Sequence, residues 1–357
     1  MNDYSMTTFL TLAISIILLT IVSSNKNFSK RTRHGFIISF LLILIGTIIE
    51  FFGNIEGLGQ SFYMFIILLK FSIVPIMPLI CGTTIFDKTV IKENIELKIF
   101  TIIFIIYEFF IFYEYFSYKL RLFYKETYII YVIIFIMSSC YMFFKAFKLN
   151  KFYQNANSLT LVLIILFIVT GIAIGIVKQN LQINWLIISI SASFIYIYYN
   201  ELIQCIDGLT LLLNQKSFNN YIENIHKKSC IIIFDINDFK LINDTYGHKV
   251  GDEILCVVSS ILKEVYRNYG KCYRIGGDEF AVIATDDIQH IEKYNKKFIT
   301  EIIEKKKEFA EFPYIAYGVA EYNPKENNQN EIMDVIKKAD EEMYKYKNEF
   351  KDSIKAK

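Results

Sequence analysis

The sequence predicts two parts of different fold class, an α-helical transmembrane bundle followed by an α/β domain. Three observations lead there. The 357 residues are 54% apolar and 16% aromatic, with a mean hydropathy of +0.34, more apolar than an ordinary soluble chain. The apolar excess lies almost wholly before residue 200. Beyond it, short β-branched runs alternate with segments of helical periodicity, and two of the predicted strand ends carry carboxylates. The net charge of +2 selects no class of partner, and nothing in the chain points to nucleic acid.

In chain order, seven apolar runs approach the roughly 20 residues that a helix needs to cross a hydrocarbon core of about 30 Å. They are Met6 to Ser24, Gly35 to Gly53, Ser61 to Thr84, Ile99 to Phe116, Tyr128 to Phe147, Leu159 to Val177 and Ile183 to Tyr199. A soluble domain has no use for seven such runs. Residues 1–199 are therefore read as a membrane domain embedded in lipid; because the leader MNDYS has no Lys or Arg and the apolar run after it is long, the first segment is read as a span rather than a cleaved signal. Loops one, three and five carry ten Lys and Arg (Lys26, Lys30, Arg31, Arg33, Lys88, Lys92, Lys98, Lys145, Lys148, Lys151), against four on the other side (Lys119, Arg121, Lys125, Lys178). That bias predicts a plasma-membrane protein with its N-terminus outside and its C-terminal part in the cytoplasm.

Lys70 and Glu108 fall near the middle of the third and fourth runs, where an unpaired charge costs at least about 2.5 kcal/mol. A pairing of the two inside the bundle, lining a pocket for an unknown ligand, is one reading; a structural ion pair or a snorkelling Lys70 is the other. Pro75 and Pro78 remove backbone donors from the third run and predict a kink. The six cysteines have no metal-ligand spacing and read as small apolar fillers. His248, in the segment GHKVGD, reads as structural.

Residues 200–206, NELIQCI, contain neither Gly nor Pro, so the seventh helix is expected to continue as a short helical linker into a domain at 207–357. Within that domain Cys230 to Phe234 is a continuous apolar run, the pattern of a central strand, and it ends at Asp235. A helix is expected to begin near Asp238. Its first amides, at Asp238 and Phe239, suit phosphate oxygens, and Lys240 adds a point charge. Further on, RIGGDEF (Arg274 to Phe280) sits between alternating apolar segments and reads as a β-hairpin whose turn lifts Asp278 and Glu279 off the sheet. Gly276 and Gly277 are expected to tolerate positive φ and to leave room for a phosphate-bearing ligand against the backbone. Alone, the motif also admits the reading of an ordinary acidic hairpin tip. If it neighbours the strand ending at Asp235, the two carboxylates and a main-chain carbonyl make a hard-oxygen site suited to Mg²⁺.

These stretches resemble the GGDEF-domain diguanylate cyclases, which condense two GTP into cyclic di-GMP. The resemblance runs from Asp207 to the C-terminus, through DGLTLLLNQKSF, DINDFKLINDTYGHKVGDEIL, RIGGDEF, YIAYGVAEY and ADEEMYKYKNEFK. It implies a palm-like α/β fold, and the expected order of elements, βααββαβα, agrees. It also implies a homodimer with GTP at each domain and two Mg²⁺ or Mn²⁺ ions per active site. Asp235, the carbonyl of Ile236 and Asp278 would hold the ions, with Glu279 assisting. Asn243 and Asp252 would read the guanine edge, the carboxylate accepting from its two adjacent donors. Lys347 and Lys351, four apart on one helix, would bind phosphates.

Departures accompany the matches. Leu211 and Gln215 stand where the family's opening motif has Gly and Arg. The inhibitory RxxD reads RNYG, so Arg267 is present while Gly270 replaces the Asp, which predicts weak or absent feedback inhibition. Asn237 replaces a frequent Asp. The implied function is a membrane-bound diguanylate cyclase under control of a signal at the bundle, and the alternative is a regulatory receptor whose domain binds GTP without turning it over.

Overall fold

The computed structural model describes residues 3–53, 60–84, 95–117, 125–152, 158–177, 184–309, 311–324 and 332–355. Two compact units emerge, Met1–Ile203 and Gln204–Lys357.

The first unit contains helices α1 (Asp3–Ser24), α2 (Lys30–Gly53), α3 (Gln60–Thr84), α4 (Ile95–Ser117), α5 (Lys125–Phe152), α6 (Ser158–Val177) and α7 (Asn184–Gln204). Six of them, all but α6, are long and apolar enough among the described residues to cross a membrane. In α6 the described apolar stretch is the shorter Leu159–Gly171. The basic positions 88, 92, 119, 121 and 178 lie outside the described residues. Lys145 is not in a loop: it belongs to α5 and is 1% exposed, its ammonium 5.3 Å from the Tyr141 ring centroid.

The charges inside the bundle are arranged differently from the expected pair. Lys70 pairs with Glu50 of α2 at 3.1 Å, while Glu108 accepts a hydrogen bond from Ser72 at 2.8 Å. An apolar run gives no register between helices, so Glu50, near the end of its own run, escaped notice. The prolines show how a spanning helix tolerates a lost donor. Pro75 has no N–H for the carbonyl of Phe71, four residues earlier, and the Tyr107 hydroxyl donates to that carbonyl at 3.0 Å.

In the second unit a five-stranded sheet runs in the order β1-β3-β4-β2-β5. The strands are β1 (Leu213–Asn214), β2 (Ser229–Ile236), β3 (Gly270–Arg274), β4 (Glu279–Ala284) and β5 (Ile315–Tyr322), and the helices are α8 (Gln215–Ile222), α9 (Phe239–Tyr246), α10 (His248–Tyr266), α11 (Ile291–Glu308) and α12 (Ile332–Lys355). β1 pairs parallel with β3 and was too short to be visible in the sequence; the other pairings are antiparallel. Every residue of β2 is buried, as its unbroken apolar run requires. Alternation sorts it: Cys230, Ile232, Phe234 and Ile236 pack in the core beneath α10 and α11, while Ile231 and Ile233 pack with α8 and α12.

The seventh helix stops at Gln204. Its carbonyl there accepts from Asn214 Nδ2 at 2.8 Å, and the Cys205 carbonyl accepts from Ser217 Oγ at 2.8 Å and from the Asn214 amide at 3.0 Å. These bonds satisfy acceptors that a helix end leaves without partners. The chain then turns through Asp207–Leu211, and Leu211 occupies the left-handed region at φ +57°. Lys263 Nζ braces this turn by donating to the Leu211 carbonyl at 3.3 Å. A β-carbon in this region costs about 1–2 kcal/mol, which a glycine would not incur. Leu211→Gly is therefore expected to stabilise the second unit by about 1 kcal/mol, after allowance for the glycine's greater unfolded-state freedom. Slower amide exchange across β1 and β3 in the variant is the check.

Candidate active site

Asp235 and Glu279 face each other as a cross-strand pair of β2 and β4. The period of two puts both on the side of the sheet that α12 covers, in line with Ile231 and Ile233 on β2 and with Ala281 and Ile283 on β4. On α12 the residues Ala339 and Met343 are buried against that side. Lys347 follows Met343 by four on the same helical face, and its ammonium contacts Asp235 Oδ1 at 2.5 Å. The side chain of Lys351 lies outside the described residues.

The hairpin tip closes the site. The Ile236 amide donates to the Asp278 carbonyl at 3.3 Å, joining the end of β2 to the turn, and the Ile275 amide donates to the Glu279 carbonyl at 3.0 Å. Neither Gly276 nor Gly277 adopts the left-handed backbone expected of them. Their use is space: a β-carbon on Gly276 would lie 2.7 Å from Glu279 Oε2, and one on Gly277 would meet nothing within 4 Å. Burial, followed by the charge of Asp235, pushes the Asp278 carboxyl above its ordinary range. Burial, then Asp235 and Asp278, does the same to Glu279. Among the described residues no three His, Cys, Asp or Glu converge into a metal cage. The protein thus offers a partial set of hard oxygens under like-charge stress, a set that fits a divalent cation sharing its shell with phosphate. Asn237 Oδ1, buried with no hydrogen-bond partner, adds an acceptor close to the end of β2.

Asp238 takes φ +54° as the chain bends from β2 into α9, and its side chain makes no capping hydrogen bond. The helix's first amides therefore keep their donors clear of a side-chain cap. Lys240 is exposed in the first turn. α10 begins at His248, so Asp252 lies inside the helix. Gly251 lets Asn243 pack closely against the first turn of α10. A β-carbon at 251 would sit 2.0 Å from Asn243 Oδ1, so the missing side chain lets the carboxamide lie beside the residue that precedes Asp252.

Two groups escaped the sequence reading. Arg274 donates through Nε and Nη2 to the Gly277 carbonyl at 3.2 and 2.6 Å, and through Nη1 to Asp207 Oδ1 at 3.1 Å. Asp207 Oδ1 also accepts from the Thr210 amide at 2.8 Å and hydroxyl at 2.6 Å. The signals were an Arg ahead of a Gly-Gly turn and an Asp three residues before a Thr. Burial alone would raise the Asp207 carboxyl, but Thr210 and Arg274 together hold it below the usual carboxylate range. Its contribution to stability is complete above that range and is lost as pH falls through the lowered value. Unfolding of Asp207→Asn should differ from the native chain at neutral pH and converge with it in acid.

Of the departures, Gln215 is exposed at the start of α8. Gly270 begins β3, where a β-carbon would lie 2.3 Å from the Ile283 carbonyl oxygen, so an Asp does not fit this backbone.

An antiparallel sheet with one parallel edge pair, carrying its carboxylates at a strand end and a hairpin tip under a lysine-bearing helix, defines a nucleotide-cyclase-like α/β domain. Residues 204–353 match the family model of the diguanylate cyclase GGDEF domain, and this part of the chain is a GGDEF domain. Over 93 residues it is 44% identical to the probable diguanylate cyclase DgcI of Escherichia coli, covering 26% of this chain and 21% of that one. Over 127 residues it is 34% identical to a diguanylate cyclase of Vibrio cholerae, covering 33% and 36%. An uncharacterized membrane protein of Staphylococcus aureus is 39% identical over 84 residues, covering 22% and 24%. The chain thus spans about a fifth to a third of these curated relatives. Among solved structures, the GGDEF domain of DgcB from Caulobacter crescentus in complex with c-di-GMP aligns at 27% identity, with a TM-score of 0.35 over 41% of this chain and 88% of that one.

Proposed function

We propose that this chain is a membrane-bound diguanylate cyclase that joins two GTP into cyclic di-GMP and releases pyrophosphate. The observation that carries the reading is the Asp235–Glu279 pair at the sheet's end, joined to the Asp278 tip and reached by Lys347 of α12. Relatives named as diguanylate cyclases support it.

Asp235, the Ile236 carbonyl and Asp278 would hold up to two Mg²⁺ or Mn²⁺, with Glu279 beside them. When bound, such ions neutralise charge on the attacking and leaving oxygens of an in-line displacement. The residues of the chain do the rest. The amides of Asp238 and Phe239, with Lys240, Lys347 and Lys351, orient the triphosphate, and Asn243 and Asp252 select guanine. The 3′-hydroxyl of each GTP, losing its proton to solvent, attacks the α-phosphorus of the other in line with the departing pyrophosphate, so two phosphodiester bonds form as two pyrophosphates leave. Gly276 and Gly277 let the nucleotide approach the turn. One domain presents one GTP, so two copies of the chain must meet face to face as a homodimer. The bundle, oriented with its N-terminus outside, keeps the GGDEF domain where GTP is abundant.

Lys347 and a divalent cation draw on the same Asp235 oxygen, so the two compete. Lys347→Met is expected to tighten nucleotide-free Mn²⁺ binding roughly fivefold, a contact ion pair discounted for partial exposure, and to weaken GTP binding. Mn²⁺ titration followed by electron paramagnetic resonance checks the first effect, and equilibrium dialysis with GTP the second.

The test of the activity is the full chain in lipid nanodiscs, incubated with GTP and Mg²⁺ and analysed for cyclic di-GMP by mass. GTP binding without product would favour the second reading, a GTP-binding regulatory receptor. The strained Leu211 and the exposed Gln215 favour that alternative. Restoring Gly and Arg at these positions would then be the route to recover turnover.

A further inference from the structure

The bundle holds a cavity of about 210 Å³ whose walls come from α2, α3, α5, α6 and α7. That volume exceeds the roughly 150 Å³ that admits benzene and falls short of the roughly 300 Å³ at which drug-sized sites begin. Among the described residues its lining is mainly aliphatic and aromatic, with no Asp, Glu, Lys, Arg or His, so these walls would not offset the desolvation of a charged ligand. The ion pair Lys70–Glu50 belongs to a separate, far smaller cavity. A few hydroxyls interrupt the apolar walls. Ser39 Oγ donates to the Gly35 carbonyl at 3.0 Å and Ser191 Oγ to the Ile187 carbonyl at 2.7 Å. Each hydroxyl commits its hydrogen to its own helix and so has lone pairs left to accept from a guest.

We infer that this cavity binds a small, uncharged, largely apolar molecule bearing one O–H or N–H donor, of the size of a substituted aromatic ring. A cavity of this volume forfeits van der Waals contacts along its walls unless a guest supplies them. Its position gives the guest a consequence. α7 contributes six of the lining residues, from Asn184 to Ile195, and its last residue, Gln204, is where the GGDEF match begins. Beyond the cavity, α7 is gripped by α2 and the α1–α2 turn. Phe36 stands edge-on to Tyr196 at 5.5 Å between centroids, and Asn25 Nδ2 donates to Tyr196 Oη at 3.1 Å and Asn200 Oδ1 at 3.2 Å. A guest that shifts α7 at the cavity must therefore either strain this grip or move it.

The chain carries its own reporter. Its single tryptophan is Trp185 of α7, 3% exposed, one helical turn from the lining residue Ile188 and seated against Gly46, where a β-carbon would lie 2.1 Å from the indole ring. The experiment titrates the full chain in nanodiscs with 4-bromophenol, a neutral heavy-atom quencher with one donor, and follows Trp185 emission. The expected result is saturable quenching, reversed by excess phenol and weakened at least tenfold in Ala192→Leu and, separately, in Ser191→Ile, which fill the cavity from different positions. The anion 4-bromobenzenesulfonate should give no saturable phase. Quenching that rises in proportion to the probe in all three proteins would mean partition into lipid alone and would overturn the inference. So would equal saturation in native and filled chains. Nanodiscs of lipid brominated along the acyl chain test the other source of an apolar guest. If they quench Trp185 strongly, and both fillings but not phenol relieve it, an acyl chain occupies the cavity and the small-molecule site is refuted. None of these readings depends on nucleotide turnover.

Discussion

Asp278→Asn is expected to lower cyclic di-GMP formation by about a thousandfold or more, the scale on which loss of a charge-stabilising group in a phosphoryl-transfer site is felt. Asn keeps the size of the side chain and the backbone carbonyl that receives the Ile236 amide, so the tip should hold its shape. Stability should not fall and should rise slightly. Burial and the Asp235 charge already disfavour the ionised Asp278 carboxyl, and the neutral amide removes that repulsion. The pair of measurements, product by mass and unfolding by heat, separates the two effects. Retained product would sink the assignment of Asp278, and product lost together with the fold would leave the loss attributable to structure.

Gly318→Val is expected to loosen the GGDEF domain by about 3 kcal/mol, the upper end of overpacking costs. Gly318 lies in β5 opposite Ile233 of β2, on the side covered by α12. A β-carbon there would lie 2.0 Å from the Ala339 carbonyl oxygen and 2.3 Å from the Met343 amide nitrogen. Both obstacles are backbone, so no side chain can swing aside; the helix must lift. Lifting α12 carries Lys347 away from Asp235, so GTP binding should weaken along with stability. Hydrogen exchange resolved along β5 and α12 checks this, with unchanged protection as the contrary outcome. Gly277→Ala provides the contrast, since its added carbon meets nothing within 4 Å and stability should barely change.

Much of this was legible in the residues. Apolar runs of spanning length do not depend on a fold to be read, and they located α1 to α7. A strand buried on both faces must be apolar throughout, so Cys230 to Phe234 announced β2 and made Asp235 conspicuous at its end. RIGGDEF gave the hairpin because two glycines followed by two acids between alternating segments allow few other structures. What stayed hidden was whatever depends on which elements lie side by side. No spacing along the chain says that Lys70 meets Glu50 rather than Glu108, or that Tyr107 covers the carbonyl freed by Pro75, because helix register in a bundle is set by packing between distant segments.

The same division holds at the site. The sequence by itself determined the carboxylates, the helix start near Asp238 and the two lysines as chemical types, since strand ends, helix starts and four-residue spacing are local properties. Tertiary structure alone decided that Gly276 and Gly251 matter for room and not for φ, that Leu211 bears a glycine's conformation, and that Lys347 stands on Asp235. Each of those facts is set by how the folded backbone bends and packs, and the Lys347–Asp235 contact, between residues far apart along the chain, exists only once the sheet has formed and α12 has closed over it.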